Sequence, residues 1–531
     1  MTPMTSTHDT PLVQLGKKPT VKEANSTVRR PVIEARWGVG AGEKGKSTHS
    51  SIEAVLAEVG FRAVELRAIY YGNWLRDYSQ LLDPKIVRAI NMRKDFPNLL
   101  SREALTRLVD VLAVKEFHDL MYNYREEFRV TPERLGVYRP SEHIDNPKVI
   151  NPSLADPRIR DADFEPWVLP GDPLLEVDPE TSMKRYIQRS SKVMQAELDK
   201  ALKAGLESTD ALRAFGAALH ILEDFFAHSN FVELSLIKMG HTRVLPWTSV
   251  AECKHGLPLV TGMFGSTDVI SSLAAPLGKI LFSIKNTEFA AIRAGERTER
   301  DQIIQILLSE HPEDGYQNTF EKFLALRDEW ADLPGSDQVE KVLWYLRKPG
   351  VAVGNVIGTA MQGMLKVIGN SIGDAQTEYG QDPNTSGSTD PSHSQLAKDH
   401  AEHPLHGLGA LLAQEAVRRV GQAMLDQWLG KPGAADAKQI AADFFTNPWD
   451  SSWQDEMVER WAEEHPYEVT RATNKSALDY HAAQLREASL KQLEQFKQGG
   501  EDILEKLLST HNPLVQLWKR TLIGWFLTRK K

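Results

Sequence analysis

The stretch LRAFGAALHILEDFFAHSNFVEL, residues 212–234, constrains the chain more than any other. It follows a Ser/Thr/Asp cap at 208–210 and sets His220, Asp224 and His228 at successive steps of four, which places them on one helix face. A rise of about 1.5 Å per residue separates neighbours by roughly 6 Å along the axis and the two histidines by roughly 12 Å. One ion cannot easily reach both histidines. A carboxylate has two oxygens, so the spacing suggests a ladder in which His220 and Asp224 hold one ion and Asp224 or His228 reaches a second. The alternative for a lone His-x-x-x-Asp is a polar stripe on a solvated helix. Ile221, Leu222, Phe225, Phe226 and Phe231 crowd this helix with apolar bulk. The polar face is therefore expected to look into an interior, where such groups need partners and a cation supplies one.

The remaining ligands must be oxygen and nitrogen donors. Cys253 is the single cysteine, which rules out an internal disulfide and any thiolate cluster. Candidates stand as polar insertions in apolar context: His49 in THSSIEAVL, Asp77 in YGNWLRDYSQ, His143 and Asp145 in SEHIDNP, and His393, Asp399 and His400 in PSHSQLAKDH. Taken singly, each is as readily a cap or surface residue. His118 is a weaker candidate of the same kind.

Helical spacing dominates the rest of the chain, over Ile52–Leu56, Leu99–Leu120, Met183–Leu206, Thr209–Leu236 and Leu405–Leu429, and few stretches alternate with period two. The expected fold is all-α: a multi-helix core with long loops, a helical insertion and a helical carboxyl-terminal region. Residues 1–45 read as a flexible arm, 46–265 as the metal-binding core, and 266–379 as a helical region with a glycine-spaced apolar helix. Residues 380–392 (GQDPNTSGSTDPS) have linker composition, 393–430 complete the core, and 431–531 form a charged helical end with a basic aromatic tail. The Pro/Asp-rich passage 139–182 cannot be a continuous helix and is long for a plain connection, as functional loops are. With 41% hydrophobic and 25% charged residues among 531, the chain suits a sizeable core. A formal charge of −9 argues against nucleic-acid binding. The first thirty residues lack the apolar run of a Sec signal, so the expectation is a protein made in the cytoplasm.

The strings YGNWLRDYSQ, RVTPERLGVYRPSEHIDNPK, VDPETSMKRYI, ALHILEDFFAHSNFVEL, PLVTGMFGSTD and HSQLAKDH, in that order, resemble the signature blocks of the Het-C heterokaryon-incompatibility family, from about residue 48 to 430. The resemblance implies a role in self/non-self recognition and regulated cell death, toxin-like in bacterial members. The helix motif is also distantly similar to the zinc phospholipase C and single-strand-nuclease superfamily. That likeness implies a zinc-hydrolase-like core with two or three zinc ions. Residue by residue, it extends the ligand set over His49, Asp77, His143, His220, Asp224 and His228, with His393, Asp399 and His400 standing in for the superfamily's last element. This chain departs from the superfamily in having no free amino-terminal tryptophan to serve as a ligand, and some 48 residues precede His49.

Two segments suggest membrane action. PGVAVGNVIGTAMQGMLKVIGNSIG carries Gly350, Gly354 and Gly358 four apart and one charge, Lys366, a pattern that lets helices approach closely in an oligomer. The carboxyl-terminal NPLVQLWKRTLIGWFLTRKK places Trp518 and Trp525 among basic residues, an interfacial-anchor composition. Either segment is also readable as a packed soluble helix. The leading expectation is a metal-dependent effector that oligomerises and permeabilises membranes, with lipids, copies of itself and a regulatory or immunity protein as partners. The competing one is a zinc-dependent phospholipase C-like phosphodiesterase in which Asp145 or Asp77 orients the attacking water.

Overall fold

The computed structural model describes residues 48–149, 155–263, 295–331, 359–360, 382–399 and 402–480. The amino-terminal arm, the glycine-spaced segment with Gly350, Gly354, Gly358 and Lys366, His400, and the tail with Trp518 and Trp525 lie outside these residues.

The described chain is mostly helical. The helices used below are numbered in chain order: α1 (His49–Glu53), α2 (Ala63–Ser79), α3 (Arg102–Glu116), α4 (Arg185–Ala204), α5 (Thr209–His228), α6 (Phe231–Lys238), α7 (Glu299–Ser309), α8 (Asp314–Ala331), α9 (His393–Leu396) and α10 (His406–Trp428). Strand structure is confined to two short pairs among the described residues, Val87–Arg88 parallel with Leu100–Ser101 and Val177–Asp178 antiparallel with Met183–Lys184.

Helix α5 is the central element. Helices α2, α4 and α10 pack around it, and α1 lies between α2 and α10. From Ala217 to His228 every residue of α5 is buried, so the helix is enclosed and not merely amphipathic. Ser208 occupies its N-cap position but makes no side-chain cap; packing holds this end. The closest approach is with α2, where two glycines face each other's backbones. A Cβ at Gly216 would stand 1.8 Å from the Ile69 carbonyl oxygen, and one at Gly72 would stand 2.1 Å from that of Arg213. Only hydrogen side chains allow the two backbones to touch.

Periodicity predicts one helical run over Thr209–Leu236, but the helix breaks after His228. Ser229 is extended, with its hydroxyl returned to the Phe225 carbonyl. Asn230 turns outward to bond the loop at Pro246, Pro258 and Val260. These side-chain bonds offer the backbone an alternative to another helical turn, and they bring the strand-like residue Thr261 against Ser229.

Residues 382–392 are tied down: Trp247 N donates to Asn384 Oδ1 at 2.8 Å, Ser249 N to the Ser388 carbonyl at 3.0 Å, and Lys148 and Lys184 reach Asp390 at 2.6 and 2.8 Å. A Gly/Ser/Asp/Pro composition is compatible with order here because its polar groups find fixed partners.

Candidate metal centre

Four segments distant in sequence meet at the inner face of α5. Helix α1 brings His49, α2 brings Asp77, the loop after residue 139 brings His143 and Asp145, and the segment around α9 brings His393 and Asp399. All of these, with His220, Asp224 and His228, are at most 7% exposed.

Two groups of three could each hold a metal ion. In the first, His49, His220 and Asp224 offer ligand atoms within 4.8 Å of one another; in the second, His228, His393 and Asp399 do the same. His49 Nε2 stands 3.7 Å from Asp77 Oδ1 and 3.8 Å from Asp224 Oδ1. His228 Nδ1 is 3.9 Å from Asp224 Oδ2, and its Nε2 is 4.0 Å from Asp399 Oδ2. These separations are too long for hydrogen bonds. They approach the edge of a tetrahedron around an ion with bonds of about 2.0–2.2 Å, roughly 3.3–3.6 Å, so inward shifts of a few tenths of an ångström would complete coordination.

The hydrogen bonds these atoms lack are as telling as the distances. Neither ring nitrogen of His228, neither carboxylate oxygen of Asp224, nor Asp77 Oδ1 or His49 Nε2 has a hydrogen-bond partner, although all are buried. Orphaned buried polar atoms are rare and costly. Here they converge, and cations placed between them would satisfy them all. Asp224 joins the groups: Oδ1 faces His49, while Oδ2 faces His220 Nε2 at 3.0 Å and His228.

Outer partners aim the ligands. Glu223 accepts from His49 Nδ1, which leaves Nε2 directed at Asp77 and Asp224. Asn73 Oδ1 takes His220 Nδ1 at 3.0 Å, and its amide donates to Glu53 at 2.9 Å and to Glu223 at 3.3 Å. This is the carboxylate and amide shell that fixes the tautomer of metal-binding histidines. His143 stands beside the first group. Its Nδ1 is 2.9 Å from His220 Nε2 and accepts from the Gln80 amide at 3.1 Å. Asp145 belongs beside the second group. It accepts from the Tyr138 hydroxyl at 3.0 Å, and its other oxygen is 3.6 Å from His393 Nδ1.

The loop reaches this position through strain. Ile144, between His143 and Asp145, has φ 60°, a region disfavoured for a β-branched residue. Arg76 anchors the loop by donating to Glu142 at 2.6 Å.

Burial shows in the titration of these groups. It pushes the carboxyls of Asp224 and Glu223 up to about 7 and that of Asp145 up to about 6. It also lowers His220 to about 3 and, together with neighbouring histidines, holds His143 and His228 well below the usual range. Neutral imidazole is the form that ligates. For His49 burial works against the charge, but Asp77 and Glu223 outweigh it and hold the pKa well above normal. That proton is the charge an ion would replace.

The sequence model described as Heterokaryon incompatibility protein Het-C matches residues 43–329, more than half of the chain. The chain belongs to the Het-C family. The match is consistent with a heterokaryon-incompatibility role. It ends short of residue 430, so His393 and Asp399 of the second group lie outside it. No curated protein and no solved structure matches the chain, and the likeness to the zinc phospholipase C superfamily rests on the ligand pattern alone. Among the described residues, no helix is long and apolar enough to cross a membrane.

Sequence reasoning did not single out Glu223, Glu53, Asn73 or Gln80. Asn73, Asp77 and Gln80 fall at i, i+4 and i+7 of YGNWLRDYSQ, a polar stripe that was available to find them.

Proposed function

We propose that this Het-C family member is a zinc-dependent phosphodiesterase acting on membrane lipids, and that this hydrolysis is how it serves incompatibility. The observation that carries the reading is Asp224, which belongs to the first group through His49 and His220 and whose Oδ2 also stands 3.9 Å from His228 of the second, with no hydrogen bond on either oxygen. A carboxylate shared in this way suits a pair of ions, and a donor set of imidazole and carboxylate suits zinc. When bound, the ions would activate a water and polarise a phosphoryl oxygen. The chain's own residues supply the rest. Asp145, steadied by Tyr138, has a carboxyl near pH 6 and is placed to take a proton from water at neutral pH. Glu223 and Asn73 keep the imidazoles turned inward.

A second reading is favoured by the near-complete burial of every ligand: the ions hold the core, and the protein acts by oligomerising and permeabilising membranes, under a regulatory or immunity partner. The protein would in either case act at a membrane.

The two are separated by mixing zinc-loaded protein with dye-filled phospholipid liposomes and recording dye release and released phosphoheadgroup together, with and without chelator. Headgroup release that precedes leakage and stops with chelator is the expected result. Leakage with no headgroup release would overturn the enzyme reading in favour of the second.

A further inference from the structure

Lys398 is fully buried, and its ammonium uses all three donors: to the Ser229 carbonyl at 2.8 Å, the Leu396 carbonyl at 2.8 Å and Glu233 Oε1 at 3.0 Å. Its backbone N donates to the Ala227 carbonyl at 3.1 Å, and its carbonyl meets His406 Nδ1 at 2.7 Å. Lys398 thus fastens the segment that carries His393 and Asp399 onto the carboxyl end of α5, where His228 sits, and onto Glu233 of α6. The negative end of the helix dipole favours a cation there.

A buried ion pair is a poor way to stabilise a core, because apolar residues of the same volume serve as well or better. What the pair provides is position. An apolar side chain at 398 would fill the space without choosing which carbonyls it lies against; the ammonium fixes residues 396–399 to two carbonyls and one carboxylate.

We propose that Lys398, with Glu233, is a positioning residue for the second metal group: it sets Asp399 and His393 opposite His228 without touching the ion. The inference rests on the metal-binding reading above. The first group draws none of its ligands from this segment, so the effect is confined to one of two sites.

The test uses the full chain. Lys398→Met with Glu233→Gln removes both charges together and leaves no lone buried ion. Glu233→Gln alone keeps an acceptor and both carbonyl bonds. Cobalt(II) is added stepwise while visible absorption is followed, bound ions are counted by elemental analysis, and folding is checked by circular dichroism. The wild type is expected to bind two ions. Glu233→Gln, which leaves the ammonium an amide oxygen and two carbonyls, should bind the second ion with a smaller loss than the double variant, and the double variant should stay folded and bind one as before and the other about 10- to 100-fold more weakly, the usual effect of losing an outer partner. Two ions at wild-type affinity in the double variant would overturn the proposal. Loss of both ions, or of the fold, would also overturn it by making the pair general scaffolding. A wild type that binds no ion would instead remove the metal reading itself.

Discussion

The chemistry of the centre concentrates in a few side chains whose protonation opposes their use as ligands. Burial keeps the Asp224 carboxyl protonated up to about pH 7 in the metal-free protein. The sign follows directly: an ion must displace that proton below about pH 7 and need not above it, so affinity weakens as pH falls through 7. One displaced proton costs up to about tenfold in affinity per pH unit, or about 1.4 kcal/mol. Calorimetric titration with zinc in two buffers of different ionisation enthalpy should show more proton release below about pH 7 than above it, where the Asp224 proton is already gone and the His49 proton remains to be displaced; release that does not vary with pH would refute this. Glu223 acts one step removed. In Glu223→Ala, His49 loses the acceptor that turns its Nε2 inward, and affinity at the first group should fall about 10- to 100-fold while the second group is spared. Equal weakening of both sites would show that Glu223 serves the whole fold.

The contact between α2 and α5 sets the centre's dimensions. Asp77 on α2 faces His49 and His220 only because Gly72 and Gly216 let the backbones meet. Gly216→Ala drives a methyl into the Ile69 carbonyl and must separate the helices. Overpacking of this kind costs about 1–3 kcal/mol or more, and it should lower the melting temperature and weaken the first ion by moving Asp77 away. Gly421→Ala is the control: its Cβ would meet the flexible end of Leu56, and it should perturb ion binding less. The same interface shows what was legible in the sequence. The His220, Asp224, His228 ladder could be read because one helix carries all three at a fixed spacing, and helix extents such as Leu405–Leu429 against the observed His406–Trp428 followed from apolar periodicity. The grouping of ligands was not legible. That His49 joins His220, and His393 joins His228, depends on where loops return in space, and periodicity carries no such information. Nor did the composition of 382–392 reveal that Asp390 would meet two lysines.

At the scale of the molecule, the centre is a knot of long-range contacts tied by groups that cost free energy when no cation is present. The span matched to the family, 43–329, supplies His49, Asp77, His143, Asp145 and the α5 ladder; the chain beyond it adds His393 and Asp399. The unfolded chain scatters these residues over some 350 positions and binds an ion weakly, so each ion stabilises the native state by mass action, by about 4 kcal/mol at a free concentration of about 1,000 times its Kd. Chelation should therefore lower the melting temperature markedly, and zinc should restore it. Asp399→Ala, which removes a ligand of the second group only, should forfeit part of the zinc-dependent increment and retain the rest. The comparison is a set of thermal melts at fixed free zinc, wild type against variant, each with and without chelator. If chelation leaves the wild-type melt unchanged, the buried donors of α5 are not held by ions, and the cation that answers them is the imidazolium of His49, 3.7 Å from Asp77 and 3.8 Å from Asp224.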